Sequence, residues 1–242
     1  MSQQINLDKL DVNGDVRENA EAAGFDRSTF LKTGAVGAVG VAGVFGLPSL
    51  ANAAISTKRP SAKNDVKILQ YALTLEYLEA AFYAAAVKQD TFASAELKQF
   101  AQVVANHEAQ HVKDLKKAIG RSAVKAPTLN GDAVAALIAP EAFGPTAALL
   151  EDTGVSAYAG QGPNLKQRPV VQVALAIHSV EARHAAWIRY ILGGGAVGAK
   201  VSSYPAPRAY DKAKTQGQIL KAVTGLKGGG KTLITKADTS KF

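Results

Sequence analysis

Two Glu-x-x-His motifs hold the residues of this chain that are best able to do chemistry. Glu108 is followed three positions later by His111, and Glu181 is followed in the same way by His184. Residues three apart on an α-helix lie on the same face, so each glutamate would lie beside its histidine. A single motif of this kind arises by chance in many helices. The chain has only four histidines, however, and two of them complete these two motifs.

A second pattern pairs a glutamate with a tyrosine seven residues later. Glu76 precedes Tyr83 in this way, and Glu151 precedes Tyr158. Seven residues bring a helix back to nearly the same direction, so each tyrosine is expected on the face of its own glutamate. The chain thus runs Glu…Tyr, Glu-x-x-His, and then repeats that order. The glutamates of the two patterns are 32 residues apart in the first half and 30 in the second, which indicates an internal repeat of two helix pairs.

The sequence around the glutamates indicates that they are buried. Glu76 ends the segment Ala-Leu-Thr-Leu-Glu, and Glu151 ends the segment Ala-Ala-Leu-Leu-Glu. Four buried carboxylates in one bundle would repel one another unless they were paired or bound to metal. Two divalent cations would neutralise them, and four Glu with two His is the ligand set of a di-iron or di-manganese carboxylate site. The chain has no cysteine, which excludes cysteine-ligated zinc, iron–sulfur clusters and thiol nucleophiles.

Apolar residues at helical spacing predict four long helices that would carry these motifs. They are expected at residues 64–87, 94–119, 145–158 and 169–192. The third helix could alternatively start at residue 140. The connector after the second helix is long, with one helical turn expected at residues 133–138. Strand-type alternation is absent, so the predicted fold class is all-α: a four-helix bundle with one long crossover connection. Beyond Lys200 the composition predicts an extended tail that could wrap the bundle, weakly helical only at residues 218–224.

These motifs resemble the ferritin-like superfamily, and within it the bacterial ferritin-like domain family akin to plant desiccation-related proteins. The likeness covers about residues 65–192 and is carried by residues 75–83, 107–111, 150–158 and 181–184. The resemblance implies a ferritin-like four-helix bundle that binds two iron or two manganese ions. The family's usual chemistry is oxidation of Fe(II) by dioxygen or peroxide. The metal ligands that the resemblance implies are Glu76, Glu108, His111, Glu151, Glu181 and His184.

Three further residues are expected close to the ligands. Tyr83 and Tyr158 are expected to donate hydrogen bonds to ligating carboxylates. Glu79 lies one helical turn beyond Glu76 and could replace it or join it as a ligand. Glu76 is the favoured ligand because it, and not Glu79, is followed by a tyrosine seven residues later.

The two remaining histidines are not expected to be ligands. His178 lies three residues before Glu181 and extends the stripe that ends at His184, so we expect a hydrogen-bonded neighbour of the ligands or an interface residue. His107 precedes Glu108 directly and would point about 100° away from it on the helix. We therefore expect His107 to lie away from the metal centre.

The sequence leaves three functions open. The first is an exported protein with a dinuclear metal site that acts as a metal-dependent oxidase or peroxide scavenger, and that could form a homo-oligomer. The second is a manganese catalase. The third is a non-enzymatic stress or desiccation-related structural protein, in which metal only staples the bundle or is absent. Storage of iron in a 24-subunit shell is disfavoured, because the long basic tail does not resemble the short fifth helix of storage ferritins.

Residues 1–53 are expected to form an export signal that is cleaved after Ala53, with an uncleaved anchor or a cytoplasmic tail as the alternatives. A basic residue, Lys32, precedes a short apolar run at residues 34–47, and small residues follow at 51–53. Residues 27–32 resemble a twin-arginine signal, with Ser28 in place of the second arginine. The route, twin-arginine or general secretory, therefore stays open. The expected location is the periplasm, the cell envelope or the medium.

The positive charge lies mostly in the tail. The net charge is +8, and residues from 200 onward contain nine basic and two acidic side chains. The predicted organisation is a signal at residues 1–53, a ferritin-like bundle at 64–195 and a basic Gly/Pro/Lys-rich tail at 196–242. A basic tail favours attachment to an anionic envelope surface, and no nucleic-acid partner is expected.

Overall fold

Four long helices form a bundle, which confirms the predicted all-α class. The structure is a computed structural model and describes residues 55–57 and 59–239, so the predicted export signal lies outside the described residues. Helices α1 and α2 make one pair, and α4 and α5 make the other. A short helix, α3, lies in the crossover between the pairs, and α6 lies in the tail. The bounds are Ala62–Gln89 (α1), Ala95–Ile119 (α2), Gly131–Leu137 (α3), Pro140–Gln161 (α4), Arg168–Arg189 (α5) and Gln216–Thr224 (α6).

Side-chain caps determine where the helices of the first pair begin. The Ser61 hydroxyl accepts a hydrogen bond from the backbone N–H of Asn64, and the Ser94 hydroxyl accepts one from Leu97. Each bond satisfies an N–H that has no partner inside the first helical turn. Asp90 ends α1 in the left-handed conformation, with a φ of 54°. Residues 90–94 therefore suffice to connect α1 to α2.

Helix α4, the first helix of the second pair, begins at Pro140, the earlier of its two predicted starts. Proline is tolerated there because backbone N–H groups in the first turn have no hydrogen-bond partner within the helix. Pro145 lies inside the helix, so the expectation that it begins the helix was wrong. At its other end, α5 continues into a π-helical turn at Tyr190–Gly194.

Four short strands lie in the crossover and the tail. In the crossover, β1 (Thr128–Leu129) pairs antiparallel with β4 (Ile234–Lys236) of the tail. Within the tail, β2 (Lys227–Gly228) pairs antiparallel with β3 (Lys231–Thr232). Strands of two or three residues are too short to show an alternation of apolar and polar residues, which is why the sequence does not predict them.

The tail packs against the bundle instead of remaining extended. Leu233 and two residues of α6, Ile219 and Val223, are buried, and α6 packs against α4. Gly160 of α4 allows the backbones to approach closely, because a Cβ at this position would lie 1.9 Å from the carbonyl oxygen of Lys214. The tail thus wraps onto the bundle, as the sequence suggested it could, and its helix includes the expected residues 218–224.

Aromatic rings surround Tyr83 in the core. Its ring contacts those of Phe82, Phe100 and Phe143 in edge-on geometry, with centroid distances of 5.0, 5.9 and 6.1 Å. Such edge-on contacts are favourable and restrict the orientation of the ring. Helices α1, α2 and α4 therefore hold the Tyr83 hydroxyl in one direction.

Among the described residues, no single helix is long and apolar enough to cross a membrane. One pair, Gly131–Leu137 with Pro140–Asn164, meets the length and composition requirement only when both members are counted together across a 97° bend.

Replacing Leu233 by Ala tests the packing of the tail. Leu233 is 1% exposed, so loss of its side chain should leave a cavity and lower the free energy of unfolding by about 2–5 kcal/mol. Leu149→Ala is the matched control, because Leu149 is 50% exposed. Urea denaturation followed by circular dichroism measures both variants. Equally small effects would show that the tail does not contribute to the folded core.

Candidate metal centre

Six side chains from the four long helices meet between those helices. Helices α1 and α4 each contribute a glutamate, and the Glu-x-x-His motifs of α2 and α5 contribute the other four residues. The first group is Glu76, Glu108, His111 and Glu181, and the second is Glu108, Glu151, Glu181 and His184. Within each group the candidate ligand atoms all lie within 4.8 Å of one another. Glu108 and Glu181 belong to both groups, so the cluster could hold two metal ions that share two carboxylates.

His111 turns one ring nitrogen toward three carboxylates. Its Nδ1 lies 3.1 Å from Oε2 of Glu76, 3.3 Å from Oε2 of Glu108 and 3.2 Å from Oε1 of Glu181. A single ring N–H cannot donate well to three oxygens at once. A cation among these groups would be coordinated by all of them, with Nδ1 as a ligand.

His184 occupies the corresponding position in the second group. Its Nδ1 lies 3.1 Å from Oε2 of Glu151 and 3.4 Å from Oε1 of Glu108. On the other side of the ring, Nε2 lies 2.9 Å from Nδ1 of His107. Metal-binding histidines commonly use one nitrogen for the metal and bond the other to a neighbouring side chain.

Three carboxylate oxygens at the centre lack a hydrogen-bond donor. In the described part of the chain, Oε1 of Glu108 and both carboxylate oxygens of Glu181 are buried without such a partner. The short contacts between Oε1 of Glu181 and His111 do not change this, because that nitrogen also faces two other carboxylates. Buried charged oxygens without donors are costly. These are the two glutamates common to both groups, and bound cations would satisfy them.

The two tyrosines donate to the glutamates of the opposite helix. The hydroxyl of Tyr158, on α4, donates to Oε1 of Glu76, on α1, over 2.6 Å. The hydroxyl of Tyr83, on α1, donates to Oε1 of Glu151, on α4. The sequence places each tyrosine on the face of its own glutamate, and packing then directs it to the other glutamate. The two halves of the repeat therefore fix each other's carboxylates.

The profile of the ferritin-like domain family matches residues 64–194. The chain belongs to the ferritin-like domain family. The matched segment contains the four long helices except for the first two residues of α1, and all six clustered side chains, so the family and the buried cluster rest on the same residues. No protein of curated function matches the sequence significantly.

Burial and mutual repulsion raise the pKa of two glutamates at the centre of the ferritin-like domain. For Glu108 the causes are burial and then the charges of Glu181 and Glu76. For Glu181 burial raises the pKa most, and the charges of Glu151 and Glu76 add to it. In the absence of metal, both carboxyls therefore retain protons at a higher pH than an exposed glutamate does.

His111 and Glu76 are shifted in the direction of an ion pair. Burial alone would lower the pKa of His111, but its interactions with the carboxylates of Glu108, Glu181 and Glu76 raise it to about 12. Burial would likewise raise the pKa of Glu76, but the hydrogen bond with His111 lowers it. Without metal, the positive charge of protonated His111 therefore compensates part of the negative charge of the carboxylates.

The other two expected neighbours lie in different surroundings. Glu79 is buried beside the cluster, and a Cβ added at Gly154 would lie 3.4 Å from its Oε1. His178 is half-buried and is not part of either four-residue group. It lines an apolar cavity of about 280 Å³, whose wall also includes Tyr158. His178 therefore lies outside the cluster, although its spacing places it on the same face of α5 as Glu181 and His184.

His107 is a neighbour of the centre that the sequence does not predict. Its ring stacks on that of His184 with 5.2 Å between centroids and 15° between planes. On α2 it does point away from the face of Glu108, but α5 packs there and brings His184 to it. The contact between α2 and α5 brings the two histidines together, and the periodicity of a single helix does not predict such a contact.

Metal binding is expected to release protons and to become tighter as pH rises. Glu108 and Glu181 have raised pKa values, and His111 is protonated at neutral pH. Metal must displace these protons, because it binds carboxylate ions and neutral imidazole, so affinity should increase from about pH 5.5 to about pH 7.5. Titration of Mn(II) into the metal-free protein, with a pH indicator in weak buffer, measures affinity and proton release together. An affinity that is independent of pH would contradict this expectation.

His107→Ala should weaken metal binding without disturbing the fold. It removes the partner of Nε2 of His184, and loss of such a partner weakens metal binding by about 10- to 100-fold. His107 is exposed, so the helix should tolerate alanine. Mn(II) titration compares it with His178→Ala, the matched control outside the cluster. Equal affinities in both variants and the wild type would mean that His107 does not orient His184.

Proposed function

We propose that this protein is an exported ferritin-like oxidoreductase with a dinuclear iron or manganese centre, which reacts with dioxygen or peroxide. The observation that carries the proposal is the pair of shared glutamates, Glu108 and Glu181, with three buried oxygens that lack donors. A cluster that only stabilised the bundle would be expected to supply donors to these oxygens. Six oxygen and nitrogen ligands suit iron and manganese.

The residues present fit two ions. Glu76 and His111 would hold the first ion, Glu151 and His184 the second, and Glu108 and Glu181 would contribute to both. When bound, the pair supplies one-electron redox changes at two adjacent metals, which together match the two-electron reduction of peroxide.

The chain's own groups orient the site and control its protons. Tyr158 and Tyr83 each hold one oxygen of a terminal carboxylate, which leaves its other oxygen to face the cluster. Both hydroxyls keep their protons, because burial and the adjacent carboxylates raise the pKa of each tyrosine. The complete burial of Glu108, Glu151 and Glu181 keeps bulk water away from the reacting centre.

Export and envelope attachment belong to the same proposal. The predicted signal at residues 1–53 supports transport out of the cytoplasm. Several basic side chains of the packed tail are exposed, among them Arg208, Lys221, Lys227 and Lys236. An exposed basic surface of this kind supports binding to anionic envelope polymers.

The double variant Glu108→Ala, His184→Ala tests the metal centre. It removes one shared carboxylate and one imidazole, so uptake of about two iron or manganese ions by the wild type should be lost. The fold should survive, because the change relieves repulsion among buried carboxylates. Glu96→Ala, on the exposed face of α2, is the control. Metal analysis of the purified proteins gives the result, and undiminished uptake by the double variant would refute the site.

The same preparations separate the three functions. Rapid release of oxygen from peroxide by the manganese form, and not by the iron form, would assign a manganese catalase. Consumption of peroxide or dioxygen by the iron form supports the proposed oxidoreductase. Unchanged stability after chelation, with no consumption of either oxidant, would assign a non-enzymatic stress protein.

A further inference from the structure

The hydrogen bonds of the two tyrosines fix the relative positions of α1 and α4 along the bundle axis. Tyr83 of α1 reaches Glu151 of α4, and Tyr158 of α4 reaches Glu76 of α1. In each helix the tyrosine lies seven residues, or about 10.5 Å, beyond its own glutamate. Both bonds can form only if the helices run in opposite directions, with each tyrosine level with the other helix's glutamate. The midpoints of the two seven-residue segments therefore face each other.

Glu79 and Gly154 lie at these midpoints. Each is three residues after the glutamate of its own helix, so the two are equivalent positions of the internal repeat. A Cβ at Gly154 would lie 3.4 Å from Oε1 of Glu79 and 3.0 Å from Oε2 of Glu181. A Cβ at Gly154 would therefore make an ordinary van der Waals contact with Glu79 and a tighter one with Glu181, so both carboxylates lie beside the same point of α4. At these equivalent positions α1 supplies a carboxylate and α4 has no side chain.

The surroundings of Glu79 make its charged form unfavourable unless a cation is close by. Its side chain is 3% exposed. Burial raises its pKa, and the charges of Glu181, Glu108, Glu151 and Glu76 raise it further. A carboxylate buried among four others is costly in the absence of a compensating positive charge.

We propose that Glu79 is a fifth carboxylate ligand of the dinuclear centre, placed between α1 and α4 next to Glu181. This inference rests on the proposed dinuclear centre and extends its ligand set from six residues to seven. It also makes the centre asymmetric, because only one half of the repeat supplies this ligand.

A fifth carboxylate changes the charge balance of the centre. Four carboxylates neutralise two divalent ions, and a fifth adds a negative charge that two divalent ions leave unbalanced. Two trivalent ions are better neutralised by five carboxylates than by four. Glu79 would therefore favour the oxidised form of the metal pair, and its removal would favour the reduced form.

Glu79→Gln tests the inference, with Co(II) as the probe. The variant keeps the shape of the side chain and removes its charge, so the protein should fold and still bind two Co(II) ions. We expect the Co(II) affinity to fall by about tenfold or more, and the visible absorption spectrum of the bound Co(II) to change because a ligand oxygen is lost. Glu96→Gln, which is exposed, is the matched control, and Glu79→Asp should partly restore the wild-type spectrum.

The outcomes distinguish this inference from the proposed function. If the wild type binds two Co(II) ions, and Glu79→Gln matches it in affinity and spectrum, Glu79 is not a ligand while the six-residue centre stands. If the wild type binds no Co(II), the dinuclear centre fails and the inference fails with it. A reduced affinity together with an altered spectrum supports Glu79 as a ligand.

Discussion

Repulsion among buried carboxylates is the constraint on which the rest of this structure depends. Glu76, Glu79, Glu108, Glu151 and Glu181 are all buried within one bundle, where the interior screens their charges less than water does. The chain offers only partial compensation, through a protonated His111 and two tyrosine hydroxyls. The packing of four helices therefore stabilises a site that is electrostatically incomplete. Such an arrangement is more typical of a functional centre than of a core that serves stability alone.

The internal repeat accounts for the symmetry of the cluster, and two positions beside the cluster depart from that symmetry. Each half contributes one terminal glutamate, one Glu-x-x-His motif and one tyrosine, and the tyrosine bonds run reciprocally between the halves. The repeat departs from symmetry at Glu79, whose equivalent is Gly154. A second departure is His107, since its equivalent position on α5 is the apolar Val180. Both departures lie beside the cluster, where the two four-residue groups would otherwise be alike.

The periodicity of single helices carries most of what could be predicted. It places Glu108 with His111, and Glu181 with His184, on shared faces, and the caps at Ser61 and Ser94 are local signals. Contacts between helices are not contained in one helix's pattern, which is why the partner of each tyrosine and the place of His107 could not be read from spacing. The short strands were missed because two or three residues are too few to show alternation, and β1 in addition pairs with a strand more than 100 residues away.

The pairing of β1 with β4 ties the crossover to the last described part of the chain. The hydroxyl of Thr235 also donates to the carbonyl of Thr128, which strengthens the same connection. Everything between these strands, including α4 and α5, is thus closed into a loop by hydrogen bonds. During synthesis the crossover strand has no partner until residues 234–236 have left the ribosome. The connection between the crossover and the tail can therefore form only after α4 and α5, which carry Glu151 and Glu181, have been synthesised.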